Sequence, residues 1–108
     1  MEDRELLEMA AKAAGIEWCA YYPDKVSHCD LCLQPSGRLW NPLTGDGDAL
    51  RLAVKLRINL HVCESDAMTT AYAEGAIQGA SVDFMDDPYA ATRRAIVRAA
   101  AEIGKAMP

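Results

Sequence analysis

From Asp86 to Lys105 the chain carries one unbroken helical period, and this segment constrains the fold more than any other. Asp86-Asp87-Pro88 reads as a helix start. An aspartate caps the first free N–H groups and complements the dipole, and proline suits the first helical position, where its missing N–H is not needed. Thr92, Ile96, Ala99 and Ile103 then fall on one apolar stripe, flanked by Tyr89, Ala95 and Ala100. Arg93, Arg94, Arg98, Glu102 and Lys105 are expected to face water. Most of the stability of such a helix comes from packing its apolar stripe, so the rest of the chain must supply a layer for it.

That layer is predicted to be a sheet. Ile58 to Cys63 alternates cleanly, with Ile58, Leu60 and Val62 on one face and Asn59, His61 and Cys63 on the other, the pattern of a half-buried strand. Met68 to Ala73 and Ala80 to Phe84 are two further strand candidates around Gly75 and Gly79. Earlier, Ile16 to Tyr22 also alternates, Pro23-Asp24-Lys25 signals a turn, and Ser27 to Leu33 reads as a partner strand. Arg38-Leu39-Trp40 is a candidate short third strand after Pro35-Ser36-Gly37. Two more helices are expected. One spans Asp3 to Ala14, with Leu6, Met9, Ala10 and Ala13 on its inner face, Asp3 as cap and Gly15 as left-handed stop. The other runs from about Asp48 to Leu56 behind the loop Asn41 to Asp48, with Ala49, Leu52, Ala53 and Leu56 inward. Runs of adjacent strands between helices predict a single α+β domain over residues 1–108. Its largely antiparallel sheet is layered with three amphipathic helices, an α/β/α-type sandwich, and alanine-rich inner faces permit close helix packing.

At 108 residues the chain suffices for one core without staples. Its formal net charge of -5 argues against a general nucleic-acid binder, which would show a basic patch or stripe. No apolar run reaches the roughly 20 residues of a membrane span. The acidic opening Met1-Glu2-Asp3-Arg4-Glu5 is unlike a secretory leader, so the expectation is a cytoplasmic protein with reduced cysteines.

The chemistry-bearing residues form no reaction motif. Cys29 and Cys32 make a Cys-x-x-Cys pair that, with His61 and Cys63, would constitute a zinc site. Residues three apart on a flat strand point to opposite faces, and His-x-Cys is not a usual zinc spacing, so the competing reading is small buried hydrophobes. No helix follows the pair to lower a thiol pKa for redox work. Asp46-Gly47-Asp48 lacks the remaining ligands of a calcium loop and is expected to cap the helix behind it. A glycine-bearing loop at a helix start also suits an anion, although two aspartates oppose one. His28 and His61 are the only histidines, and neither is visibly coupled to a nucleophile, so no catalytic residue is assigned. Tyr21 and Tyr22 are adjacent on a strand, so one of them is expected to leave the core face and serve as an interface anchor. Trp18, Trp40 and Tyr72 are weighed between core and partner surface in the same way. Arg94 and Arg98 lie one turn apart and are candidates for contact with a phosphate backbone or an acidic protein patch. Glu2, Asp3, Glu5 and Glu8 offer them a match within the fold or across a homodimer.

Three segments carry a family likeness: Glu5 to Ile16 (ELLEMAAKAAGI), Trp40 to Leu56 (WNPLTGDGDALRLAVKL) and Ala91 to Gly104 (ATRRAIVRAAAEIG). Together they resemble the phage ABA sandwich domain, a family of small uncharacterised proteins of tailed bacteriophages and prophages. The resemblance implies a helix-sheet-helix layering and a bacterial cytoplasm, and it brings no activity, substrate or catalytic residue with it. Trp18 to Gln34 and His61 to Phe84 depart most from the family pattern, which would make the strands the place where members differ in partner. The expected function is a non-catalytic binding module, a phage accessory protein contacting a host or phage protein, with inhibition of host defence as one such role. A small-molecule or nucleotide binder using the Asn41 to Asp48 loop and a zinc-stabilised domain are the alternatives.

Overall fold

A computed structural model of the chain describes residues 2–16, 32–33, 39–74 and 79–107. The elements are α1 (Asp3–Ala14), β1 (Cys32–Leu33), β2 (Leu39–Trp40), α2 (Asp46–Leu56), β3 (Ile58–Cys63), β4 (Met68–Ala73), β5 (Ala80–Asp83) and α3 (Pro88–Ala106). β1 and β2 pair antiparallel, and β3-β4-β5 form an antiparallel meander. The chain is thus an α+β fold with antiparallel pairing and three amphipathic helices, as its periodicities imply. The bounds of α1, β3 and β4 are those read from the sequence, and β5 stops one residue short of Phe84. The expected strand Ile16 to Tyr22, its turn and most of Ser27 to Leu33 lie outside the described residues.

α3 starts as its sequence dictates: the Asp87 carboxylate accepts from the N–H groups of Tyr89 and Ala90, and Pro88 takes the first turn. It is buried on more than one stripe. Ala91, Val97, Ala101 and Gly104 are buried along with Ala95, Ile96, Ala99 and Ala100, because α3 is covered from two sides. On one side lies the sheet, where Thr69, the second residue of β4, is fully buried and hydrogen-bonds Thr92 at 2.9 Å. The Thr92 hydroxyl donates its own hydrogen to the Pro88 carbonyl at 2.8 Å, so Thr69 is the donor to Thr92. On the other side lies α1, which presents Leu6, Leu7, Ala10, Ala11 and Ala14. The seam is backbone-close: a Cβ on Gly104 would strike the carbonyl oxygen of Met9.

Arg93 and Arg94 depart from the expectation of a solvated face, while Arg98, Glu102 and Lys105 are exposed as expected. Arg94 reaches α1 and donates to both carboxylate oxygens of Asp3, at 3.0 and 3.2 Å. Asp3 is therefore a pairing residue rather than a cap. Glu2 holds the cap position without a side-chain bond, and Gly15 closes the helix at φ 71° as expected. Arg93 turns inward, its Nε donating to the Leu43 carbonyl at 2.8 Å and its Nη1 to Asp46 at 2.7 Å. Tyr89 is exposed rather than flanking the core.

α2 begins two residues earlier than its pattern suggests, with Gly45 in the cap position, and neither aspartate caps it. Asp48 instead accepts from the Asn41 N–H at 3.0 Å, while the Asn41 side chain accepts from the Leu43 N–H at 3.0 Å. The carbonyl of Asn41 takes the Gly45 N–H at 2.8 Å, and Trp40, Pro42 and Leu43 are buried. The loop from Asn41 to Asp48 is a joint that locks α2 to α3. At its far end α2 stops on Arg57 in the left-handed region, φ 55°, and the chain turns directly into β3.

Candidate protein-binding face

Among the described residues, β3 is an edge strand. Its open side can be read from the pairing. The Glu74 N–H donates to the Arg57 carbonyl at 3.3 Å, so that carbonyl points toward β4. Antiparallel alternation then turns the backbone groups of Asn59, His61 and Cys63 the same way, and those of Ile58, Leu60 and Val62 toward the open edge.

The side chains of Ile58, Leu60 and Val62 share a face with Ala73, Ala71 and Thr69, their partners on β4. That is the face α3 covers, yet cover stops short of β3. Ile58 is buried, while Leu60 is exposed and Val62 is 56% exposed. The expected half-buried strand is therefore half-buried only at its first residue. The reason is the placement of the helices: α3 lies over β4 and β5 and reaches β3 less, and α2 lies beside α3 with little purchase on the strand.

The uncovered space is a groove of about 450 Å³ between α2, β3 and the start of α3, with Ala49, Leu50, Leu60, Val62, Tyr89 and Ile96 supplying its apolar walls. An adjoining hollow shares Leu50 and Leu60 and extends past Val54 to Arg57 and Glu74. The two together run the length of β3. On the α2 wall Leu50 is 62% and Val54 69% exposed, and Tyr89 at the other rim is 72% exposed. Scattered apolar residues on a surface are ordinary, whereas a contiguous run beside a strand edge makes this face a candidate contact surface.

Thr92, Arg93 and Asp46 at the rim are already engaged. Thr92 is bonded to Thr69 and Pro88, and Arg93 to Leu43 and Asp46. A nucleotide site needs convergent free donors for phosphate, and Arg93, the cation lining this groove, is committed to a carbonyl and a carboxylate. The loop from Asn41 to Asp48 touches the groove only through Asp46 and otherwise satisfies its own hydrogen bonds.

The residues singled out from sequence are dispersed. Tyr21, Tyr22 and Cys29 lie outside the described residues, and Cys32 belongs to β1, opposite Trp40. Arg94 is engaged by Asp3, and Arg98 is exposed with no ion pair among the described residues. His61 and Cys63 sit on the face of β3 away from the helices. Cys63 is half-exposed rather than a buried hydrophobe, its thiol 3.3 Å from the Ser65 hydroxyl and 3.4 Å from the Asp66 carboxylate. Among the described residues no three His, Cys, Asp or Glu side chains gather as metal ligands. Trp40 is core and Tyr72 is exposed. Leu50, Val54 and Tyr89 were not picked out by sequence reasoning. The available signal was that Leu50 and Val54 fall outside the inward stripe Ala49, Leu52, Ala53, Leu56, leaving apolar residues on the helix's far face.

Compared with known proteins, the chain matches no family model, no curated protein and no solved structure. No helix among the described residues is long and apolar enough to cross a membrane.

Proposed function

We propose that this protein is a non-catalytic protein-interaction module that contacts another polypeptide through the face formed by α2, β3 and the start of α3. The observation that carries the reading is the apolar run Leu50, Val54, Leu60, Val62 and Tyr89 beside the β3 edge that has no partner strand among the described residues. An apolar wall next to free backbone donors and acceptors suits a polypeptide, which brings both side chains and a main chain. Support for the setting comes from the resemblance of three sequence segments to the phage ABA sandwich family. On that basis the module is an accessory protein of a bacteriophage or prophage, acting in the bacterial cytoplasm on a host or phage protein, with inhibition of host defence as one form of that action.

The test is capture from nuclease-treated host lysate, comparing the wild-type protein with Leu50→Glu/Val62→Glu. Both positions are exposed, so the variant is expected to keep the wild-type circular dichroism spectrum. Loss of the captured protein in the variant supports the face. Identical capture by both proteins overturns it. The groove's volume of about 450 Å³ also falls in the range of small-molecule sites. Native mass spectrometry showing a bound apolar ligand that the same variant loses would favour that second reading.

A further inference from the structure

β3 is six residues long, Ile58-Asn59-Leu60-His61-Val62-Cys63, and none of them is Lys, Arg, Asp or Glu. Natural sheets guard a long edge with lysine, proline, a bulge or a covering segment. β3 has no lysine or proline, its register with β4 is continuous, and Leu60 and Val62 are uncovered among the described residues. The charges stand instead at its two ends. Lys55 and Arg57 precede the strand and Glu64 and Asp66 follow it, and none of these residues makes an ion pair among the described residues.

We infer that the occupant of this face is a second copy of the same chain, paired antiparallel through β3 about a two-fold axis at Leu60. The inference rests on reading the face as a protein contact and names the partner. In a symmetric antiparallel pair, opposed residues must point to the same side of the sheet, so the axis falls on a residue and not between two. Centred on Leu60, the arrangement sets Ile58 opposite the partner's Val62 and Leu60 opposite the partner's Leu60. Those are the residues whose backbone groups face the open edge, so each opposed pair is a hydrogen-bonded one. Leu60 and Val62 lie on the helix side of both strands, and each copy's pair covers the other's. The basic end, Lys55 and Arg57, comes alongside the partner's Glu64 and the partner's Asp66, twice over. A parallel pairing would bring like charges together. The product is one continuous sheet made from two three-stranded ones, with no unguarded β3 edge left.

Sedimentation equilibrium over a wide concentration range tests this. The wild type is expected to approach twice the monomer mass, and Val62→Lys, which places a charge on the edge, to stay monomeric with an unchanged circular dichroism spectrum. Arg57→Glu and Glu64→Arg are each expected to weaken the dimer by roughly tenfold, since each reversal counts at two symmetric sites. An equimolar mixture of these two variants restores the dimer, because each supplies the charge the other lacks. A mixture no better than its components overturns the inference, as does a dimer indifferent to Val62→Lys. So does a wild type that stays monomeric, including one whose Leu60 and Val62 amides are protected from exchange by cover within the chain. A monomer that still captures a lysate protein through Leu50 and Val62 removes the second copy and keeps the contact face. A monomer whose capture ignores Leu50→Glu/Val62→Glu removes both.

Discussion

The seam between α1 and α3 and the edge of β3 are built in opposite ways. The seam is rich in small residues: Ala10, Ala11 and Ala14, alongside Leu6 and Leu7, face a helix with Ala95, Ala100, Ala101 and Gly104, and nearly all have no accessible surface. Small residues let two backbones close on each other, so little apolar area per residue still gives dense packing. The β3 edge has larger residues, Leu60, Val62, Leu50 and Val54, and leaves them in solvent. Residue size and hydrophobicity alone therefore do not separate the two regions, since Leu7 is buried and Leu60 is not. What distinguishes them is whether a second element of this chain arrives to cover the surface.

The sharpest way to break that contrast is to enlarge the seam. Gly104→Val puts a branched side chain where even a Cβ meets the Met9 carbonyl, and the helices must separate to admit it. The expected loss is upwards of about 3 kcal/mol in urea denaturation. Gly104→Ala is the finer probe. In an open helix it would gain about 1 kcal/mol from propensity. A net loss confirms the close approach, and a gain would show that the seam has room. The complementary cut is Leu7→Ala, which empties a fully buried position in α1 and is expected to cost about 3 kcal/mol by the same measurement.

The polar joints come next. Arg93→Ala removes the donor to the Leu43 carbonyl and the partner of Asp46, so it leaves a carbonyl in a buried loop unsatisfied. A loss of about 1.5 kcal/mol is expected from thermal unfolding. Arg94→Ala cuts the tie to Asp3, but both side chains are more than a third exposed, so water and salt screen the pair. About 0.5 kcal/mol is expected, shrinking further in high salt. If Arg94→Ala cost more than Arg93→Ala, the ranking of the two arginines by burial would be wrong.

These arginines show what was legible in the sequence and what was not. Local signals carried through: the Asp87-Pro88 start of α3, the Gly15 stop of α1, and the bounds of β3 and β4 are all decided within a few residues of chain. Two kinds of fact lie beyond such signals. A charged residue on a helix reads as outward, so Arg93 gave no sign of turning in to the Leu43 carbonyl, whereas for Arg94 the acidic start of α1 offered a match within the fold and Asp3 is the residue that takes it. Likewise Asp48 follows a glycine like a cap residue, yet its carboxylate was claimed by the Asn41 N–H. Alternation also tells which residues share a face and not whether anything covers that face. Ile58, Leu60 and Val62 were correctly grouped, and only the positions of α2 and α3 reveal that the last two stay open. The β3 part of this face was therefore legible as a set of residues, and its exposure was not.

The smallest expected effect on stability decides most about function. Leu50→Ser and Val54→Ser delete the apolar surface of α2 that looks onto β3, at positions exposed by 62% and 69%. If the face is open in the free protein, little burial is lost and the monomer's unfolding free energy should move by no more than about 0.5 kcal/mol. Comparable truncation in the seam is expected to cost several times that. Association should respond in the reverse order, because side chains left in water by the fold contribute only when another chain desolvates them. Measuring stability at low protein concentration separates the two effects, since dimerisation would otherwise raise the apparent value. A loss above about 1 kcal/mol at low concentration would mean that Leu50 and Val54 are already covered within one chain, and the contrast between a closed seam and an open edge would fall with it.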